Sequence, residues 1–142
     1  MIASDQTGRP FVVDSQRWPL LRVRPPSNMV YERATMEAYF GALEAVLARR
    51  RLCGVLLDMR DVHACERIVQ VSIAWLARWD SSIRSTMVAL AVLVSTPADR
   101  ERVIAWFWRF EAGYHAQVFE EQRAAVHWLL AEHARHEASF YA

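Results

Sequence analysis

The densest group of chemically capable side chains lies in one short stretch: Asp58, Asp61, His63, Cys65 and Glu66. It follows the run Gly54-Val55-Leu56-Leu57-Asp58-Met59, which reads as a buried strand because its apolar residues do not alternate with polar ones. In α/β domains, a strand's C-terminal end feeding a helix is a usual place for a binding site. His63 and Cys65 stand two apart and could share a metal ion. Zinc sites show clearer ligand pairs and a second cluster, so no metal is expected. Cys65 could instead be a nucleophile, since a thiol near a helix N-terminus ionises more readily and a histidine is close by. No third group that would orient His63 is evident, and a small structural cysteine is the commoner outcome. The preferred reading has Asp58 and Asp61 hydrogen-bonding the loop backbone and capping the next helix. The loop Asp58, Asp61, His63, Cys65 is then a partner-binding edge with no catalytic residue.

Other chemistries find little support. The four glycines, at positions 8, 41, 54 and 113, never cluster, so no phosphate loop forms. No GxSxG or HExxH pattern occurs. All 17 basic residues are arginine, which rules out Schiff-base and phosphate-loop lysines. His127, His133 and His136 fall on or after the last helix and read as a solvated face. No cofactor is expected. Cys53 and Cys65 are the only cysteines, with no CxxC spacing, which suits a reducing cytoplasm. Met1 to Pro10 is polar and lacks the apolar core of a secretion signal. The longest wholly apolar run, Met87 to Val94, is far short of the ~20 residues a spanning helix needs. A formal net charge of +1 gives no field that would gather nucleic acid or an anionic membrane.

The elements that must position the loop follow from periodicity. A length of 142 residues suits one domain. Phe11-Val12-Val13 and Leu20 to Val23 form a hairpin at a sheet edge, ended by Pro25-Pro26-Ser27-Asn28. A first helix spans about 35–50, with Met36, Tyr39, Phe40, Leu43, Val46 and Leu47 on one face and Arg49-Arg50-Arg51 closing it. A second helix, about 66–83, carries Ile68, Val71, Ser72, Trp75 and Trp79 on one side. Met87 to Val94 is the next central strand. Thr96 then caps a third helix with Pro97 in its first turn. Gln117-Val118-Phe119 is a last strand, and a final helix follows Glu120-Glu121. The order β-β-α-β-α-β-α-β-α predicts a single α/β domain, with a mixed, mostly parallel sheet of about five strands and about four helices. The domain is placed at 11–132, between a disordered tail at 1–10 and a frayed tail at 133–142.

Aromatic residues are in surplus. Val103-Ile104-Ala105-Trp106-Phe107-Trp108 makes the third helix apolar nearly all round. Neighbours on a helix diverge by about 100°, so Trp106, Phe107 and Trp108 cannot all face one side. Trp75, Trp79, Trp106 and Trp108 are therefore predicted to form the interface of a symmetric homodimer.

Three segments carry a family resemblance. Val55-Leu56-Leu57-Asp58-Met59-Arg60 looks like a central strand ending in Asp. Ala89 to Ser95 looks like the next strand running into its helix. Val118-Phe119-Glu120-Glu121-Gln122-Arg123-Ala124-Ala125-Val126-His127-Trp128-Leu129 looks like a terminal strand, acidic turn and helix. The chain thereby resembles the STAS and STAS-like domains, the anti-sigma-factor-antagonist fold with its SEC14-like relatives. Signalling members carry a phosphorylatable Ser or Thr after that Asp. Here Asp61-Val62-His63-Ala64-Cys65-Glu66-Arg67 has no hydroxyl, and Ser72 falls inside the helix. The resemblance implies a non-catalytic protein-interaction module, regulatory in kind and without the phospho-switch. A binder of small apolar ligands or lipid is the second expectation, and a thiol enzyme using Cys65 the third.

Overall fold

The computed structural model describes residues 10–108 and 114–141, with the side chains of 106–108, 140 and 141 excepted. At its centre runs β4 (Cys53–Asp58), the strand before the polar loop. Beside it lie β2 (Leu20–Arg24) on one side and β6 (Met87–Leu93) on the other, both parallel to it. β1 (Val12–Asp14) extends the sheet antiparallel to β2, and β7 (Ala116–Phe119) extends it parallel to β6. The order is β1-β2-β4-β6-β7. Helices α1 (Arg33–Leu47), α2 (Glu66–Thr86), α3 (Pro97–Trp108) and α4 (Gln122–Tyr141) connect or follow the strands. This is the α/β architecture and the edge hairpin that periodicity predicts.

The two faces of the sheet are packed differently. On one, Leu56, Ala89, Ala91 and Leu93 are sealed beneath Ala125 and Leu129 of α4. Small side chains on β6 let α4 lie close, and Gly54 lets it lie closer still. A Cβ at Gly54 would stand 3.3 Å from two side-chain carbons of Leu129. On the other face, Leu21 and Val23 meet Met36, Tyr39 and Val46 of α1 and Ile68 of α2. Leu90, Val92 and Val94 meet Val103 of α3.

Several boundaries differ from the sequence expectation. α1 ends at Leu47, before the arginine triplet. Arg50 adopts a left-handed φ of 54°, which turns the chain out of the helix. Arg49 Nη1 donates to Ser15 Oγ at 3.1 Å, and Arg51 lies over the Trp18 ring at 5.8 Å. Arg49 and Arg51 therefore brace the β1–β2 hairpin instead of closing the helix. Thr96 caps α3 as predicted: the Asp99 N–H donates to Thr96 Oγ1 at 3.1 Å, and that hydroxyl donates to the Asp99 carboxylate at 3.0 Å.

α4 continues to Tyr141, so 133–141 is helix and not a frayed tail. Ion pairs one turn apart support it, including Arg135 with Glu132 at 3.1 Å. The expected N-terminal tail, apart from Pro10, lies outside the described residues. Two further strands carry no sequence signal: β3 (Asn28–Met29) and β5 (His63–Ala64) pair parallel as a separate small sheet. The prolines end pairing in the main sheet, but the chain pairs again immediately after them.

Candidate functional site

A cavity of about 680 Å³ lies between α1, α2 and α3 and the sheet face they cover. Val55, Leu57 and Met59 project into it from β4 and the residue beyond it. Side chains at the middle of a central strand are normally sealed, as Leu56 is on the opposite face. Val55 and Leu57 are only half-buried. Phe40 and Leu43 of α1 and Val69 and Leu76 of α2 complete the apolar wall. Helices α1 and α2 thus pack on each other above the strands and cover the centre of the sheet only in part, with Val55 and Leu57 still packed against the hydrophobic core beside it.

The cavity lining is almost free of charge in its interior. Burial pushes the Cys53 thiol up to about 11, so it stays protonated at neutral pH. Burial also raises the Tyr39 hydroxyl above its ordinary range. The residues of the lining with acidic, basic or imidazole side chains, His63, Glu66, Asp99 and Arg102, come from the loop and from the N-terminal halves of α2 and α3, at one end, while the Tyr114 hydroxyl donates to Asp80 at 2.7 Å near the other. At the other end Thr86 is 1% exposed, and its hydroxyl has no hydrogen-bond partner among the described residues.

The loop residues singled out from the sequence do not form one cluster. Asp58 is 1% exposed and points toward the α4 side. Its Oδ1 accepts from the Arg60 backbone N–H at 3.1 Å and from Arg60 Nε at 3.0 Å; its Oδ2 accepts from Arg60 Nη2 at 2.9 Å. Arg22 Nη2 approaches the same Oδ2 at 3.7 Å. Burial opposes the charge on Asp58, but the hydrogen bonds and charge of Arg60, with Arg22 behind them, hold its carboxyl below the usual range. Asp58 therefore supports the loop backbone, as expected, but offers no surface to a partner and does not cap α2.

Asp61, His63 and Cys65 are exposed. Asp61 takes a left-handed φ of 61°, which aspartate tolerates better than most residues. His63 sits on β5, its backbone N–H bonded to the Ser27 carbonyl at 2.9 Å. Cys65 is the N-cap of α2 with an extended backbone, and its side chain makes no cap bond. No His63–Cys65 hydrogen bond and no group of three metal-ligating side chains occurs among the described residues.

The aromatic surplus is partly consumed inside the molecule. A ladder of rings runs Phe11, Tyr39, Phe40, Trp75, Trp79, with centroid spacings of 5.6, 5.4, 5.0 and 6.3 Å. Trp75 Nε1 donates to Glu44 at 2.8 Å, tying α2 to α1. Both tryptophans remain half-exposed. The side chains of Trp106 and Trp108 lie outside the described residues. No described helix is long and apolar enough to cross a membrane.

No protein-family model matches the sequence, and no curated protein matches it significantly. The structure is similar to the crystal structure of an uncharacterised DUF3478-family protein from Shewanella loihica PV-4, described as SpoIIAA-like. The two share 16% sequence identity and a TM-score of 0.63, over 87% of this chain and 94% of that one. This chain has a SpoIIAA-like fold. That is the STAS-like architecture which the Asp58 strand, the Ala89–Ser95 strand and the terminal helix suggest. In this SpoIIAA-like chain Ser72 lies within α2 and lines the cavity, so the loop after Asp58 carries no hydroxyl of its own.

Two features of the site escape sequence reasoning. The cavity does, because Val55 and Leu57 read identically whether a helix seals them or leaves them open. The pairing of Arg22 with Asp58 does, because it depends on the β2–β4 register.

Proposed function

We propose that the chain is a non-catalytic STAS-like module that binds a small, elongated apolar molecule in the cavity over β4. The half-buried face of β4 carries this reading: the central strand of the sheet shows Val55 and Leu57 to an open apolar space of about 680 Å³. That volume falls among those of small-molecule sites, and an apolar wall with few polar groups is their usual lining. The cavity follows β4 from Cys53 to Met59, a run of roughly 20 Å at about 3.3 Å per strand residue. A single acyl chain suits that shape better than a compact ring system. His63, Glu66, Asp99 and Arg102 at one end would face a polar head.

Organic extraction of the purified protein followed by mass spectrometry tests the reading directly, with hexadecanoic acid displacing anilinonaphthalene sulfonate as the solution assay. Saturable, stoichiometric displacement is expected. A protein that extracts empty and binds neither probe would remove it.

A protein partner is the second reading. It is favoured by Val30, 71% exposed, and Tyr31, 38% exposed, beside the exposed His63, Ala64 and Cys65. Arg67 stacks over Tyr31 at 4.7 Å and orders this edge. Self-association belongs with this reading, through the exposed halves of Trp75 and Trp79.

A further inference from the structure

We propose a second site, separate from the cavity and on the α4 side of the sheet: a phosphate-binding site formed by Arg22, Arg24 and Arg60. Arg22 and Arg24 alternate with the buried Leu21 and Val23 on β2, so both point away from α1 and toward the α4 face. In the parallel register Arg22 lies beside Leu56 and Val23 beside Leu57. The next step places Arg24 beside Asp58, on the same face. Arg60 folds back from the end of β4 to chelate Asp58, and its Nη2 also reaches Gln122 Oε1 at 3.2 Å. Arg22 and Arg60 therefore meet at Asp58, and Arg24 stands on the same face two residues further along β2, at the C-terminal ends of two parallel strands, where ligands of α/β folds are commonly held.

Three arginines here face two carboxylates, Asp58 and Asp61, and the charge of Asp61 acts on Arg60 alone. Asp58 serves Arg60 at 2.9 Å and Arg22 at 3.7 Å with the same oxygen. Asp14 lies opposite Arg22 across the β1–β2 pair, but its Oδ1 accepts from the Gln16 backbone N–H, and it pairs with neither arginine. Arg24 makes no hydrogen bond or ion pair among the described residues. It is nevertheless half-buried, and the Nε atoms of Arg22 and Arg24 are both enclosed without a hydrogen-bond partner among the described residues. Glu120 and Glu121, in the turn before α4, are exposed and form no hydrogen bond or ion pair with any of the three. Partly desolvated cations in excess of their counter-ions call for an anion. Guanidinium forks arriving from two strands suit a tetrahedral, multiply charged phosphate better than a planar carboxylate, which one fork satisfies. Asp58 serves as the orienter: it fixes Arg60 and draws in Arg22, so two of the forks are preset.

Isothermal titration with inorganic phosphate, at fixed ionic strength and with acetate as comparison, tests this. Saturable phosphate binding is expected, with acetate much weaker. Arg24→Gln should weaken phosphate by at least about tenfold, the worth of one charged fork. Its melting temperature should not fall, since Arg24 holds nothing in place. Arg24→Lys keeps the charge and loses the fork, and should fall between. It also serves should the glutamine variant fail to fold. Absence of saturable binding, acetate binding equal to phosphate, or binding unchanged in both Arg24 variants would each overturn the assignment. Hexadecanoic acid binding is read separately and is expected to be unaffected by either variant.

Discussion

Replacing Leu57 with tryptophan puts a large ring into the middle of the cavity. Leu57 is half-buried on the central strand, packed against the core on one side and lining the cavity on the other. Trp adds roughly 60 Å³ over Leu, and at about 24 cal/mol per Å³ of cavity removed the empty protein gains up to about 1.5 kcal/mol. Strain from an imperfect rotamer offsets part of that. For a domain of this size the melting temperature should rise by about 3–5 °C. Binding should move the other way. The ring lies across a path roughly 20 Å long, so an extended chain can no longer occupy both halves. Half of the methylenes of a hexadecanoyl chain is about seven, and at ~0.8 kcal/mol each their loss removes about 5.6 of the roughly 8.2 kcal/mol of a micromolar complex, a weakening of about ten-thousandfold. Hexadecanoic acid should therefore cease to displace anilinonaphthalene sulfonate, while the melting temperature holds or rises. A variant that melts lower and binds hexadecanoic acid as tightly as the parent would show that the space around Leu57 is already filled by packing and that no chain lies across β4.

Four further outcomes follow from the packing and charges. Asp58→Asn removes a buried carboxylate held by two arginines, and should cost about 3 kcal/mol, the low end for a broken buried pair because Arg22 and Arg60 are 38% and 33% exposed. Its folded carboxyl lies below the ordinary range, so the parent keeps this stabilisation above about pH 4 and loses it as pH falls through the folded value. The acid limb of the stability profile should accordingly flatten in Asp58→Asn, as read by urea midpoints between neutral and acid pH. Leu129→Ala should cost about 3–4 kcal/mol in chemical denaturation, because Leu129 is 1% exposed and seats α4 on Gly54. Arg50→Gly relieves a left-handed residue and should raise the urea midpoint by about 0.5–1 kcal/mol equivalent, since the exposed Arg50 side chain makes no hydrogen bond or ion pair among the described residues. Sedimentation at high concentration should show a dimer that Trp79→Ala weakens, and a monomer at every concentration would remove self-association.

The legibility of the fold varied with the physics behind each element. β4 and β6 are readable because central strands with helices lying over both faces are apolar throughout, whether or not those helices seal them fully, and a run such as Val55-Leu56-Leu57 has few other uses. The start of α3 was readable because Thr96, Pro97 and Asp99 satisfy its first backbone groups locally. The end of α1 was not, since Arg49 and Arg50 are good helix formers. What stops the helix is contact with a distant hairpin, through Ser15 and Trp18. The pairing of β3 with β5 was hidden for a related reason: two residues are too few to show any period.

The sites divide along the same line. Polarity in the loop after Asp58 drew the eye to it, yet Asp58 spends its charge on Arg60 and Arg22 and lies inward. Composition registers a tryptophan surplus but cannot apportion it; the ladder from Phe11 to Trp79 shows that packing α1 on α2 absorbs much of it. That packing bears on the cavity. A helix that spends its aromatic side on a neighbouring helix has less of it to lay on the sheet. Phe40 stacks on Trp75 at 5.0 Å while also lining the space above β4. The two helices thus hold each other over the strands as a roof. On the far face Gly54 and the alanines of β6 draw α4 down until nothing remains open. One sheet in this way has a closed face that supplies stability and an open face that can afford a ligand. The arginines of β2 stand beside the closed face, where α4 gives way to the edge strand.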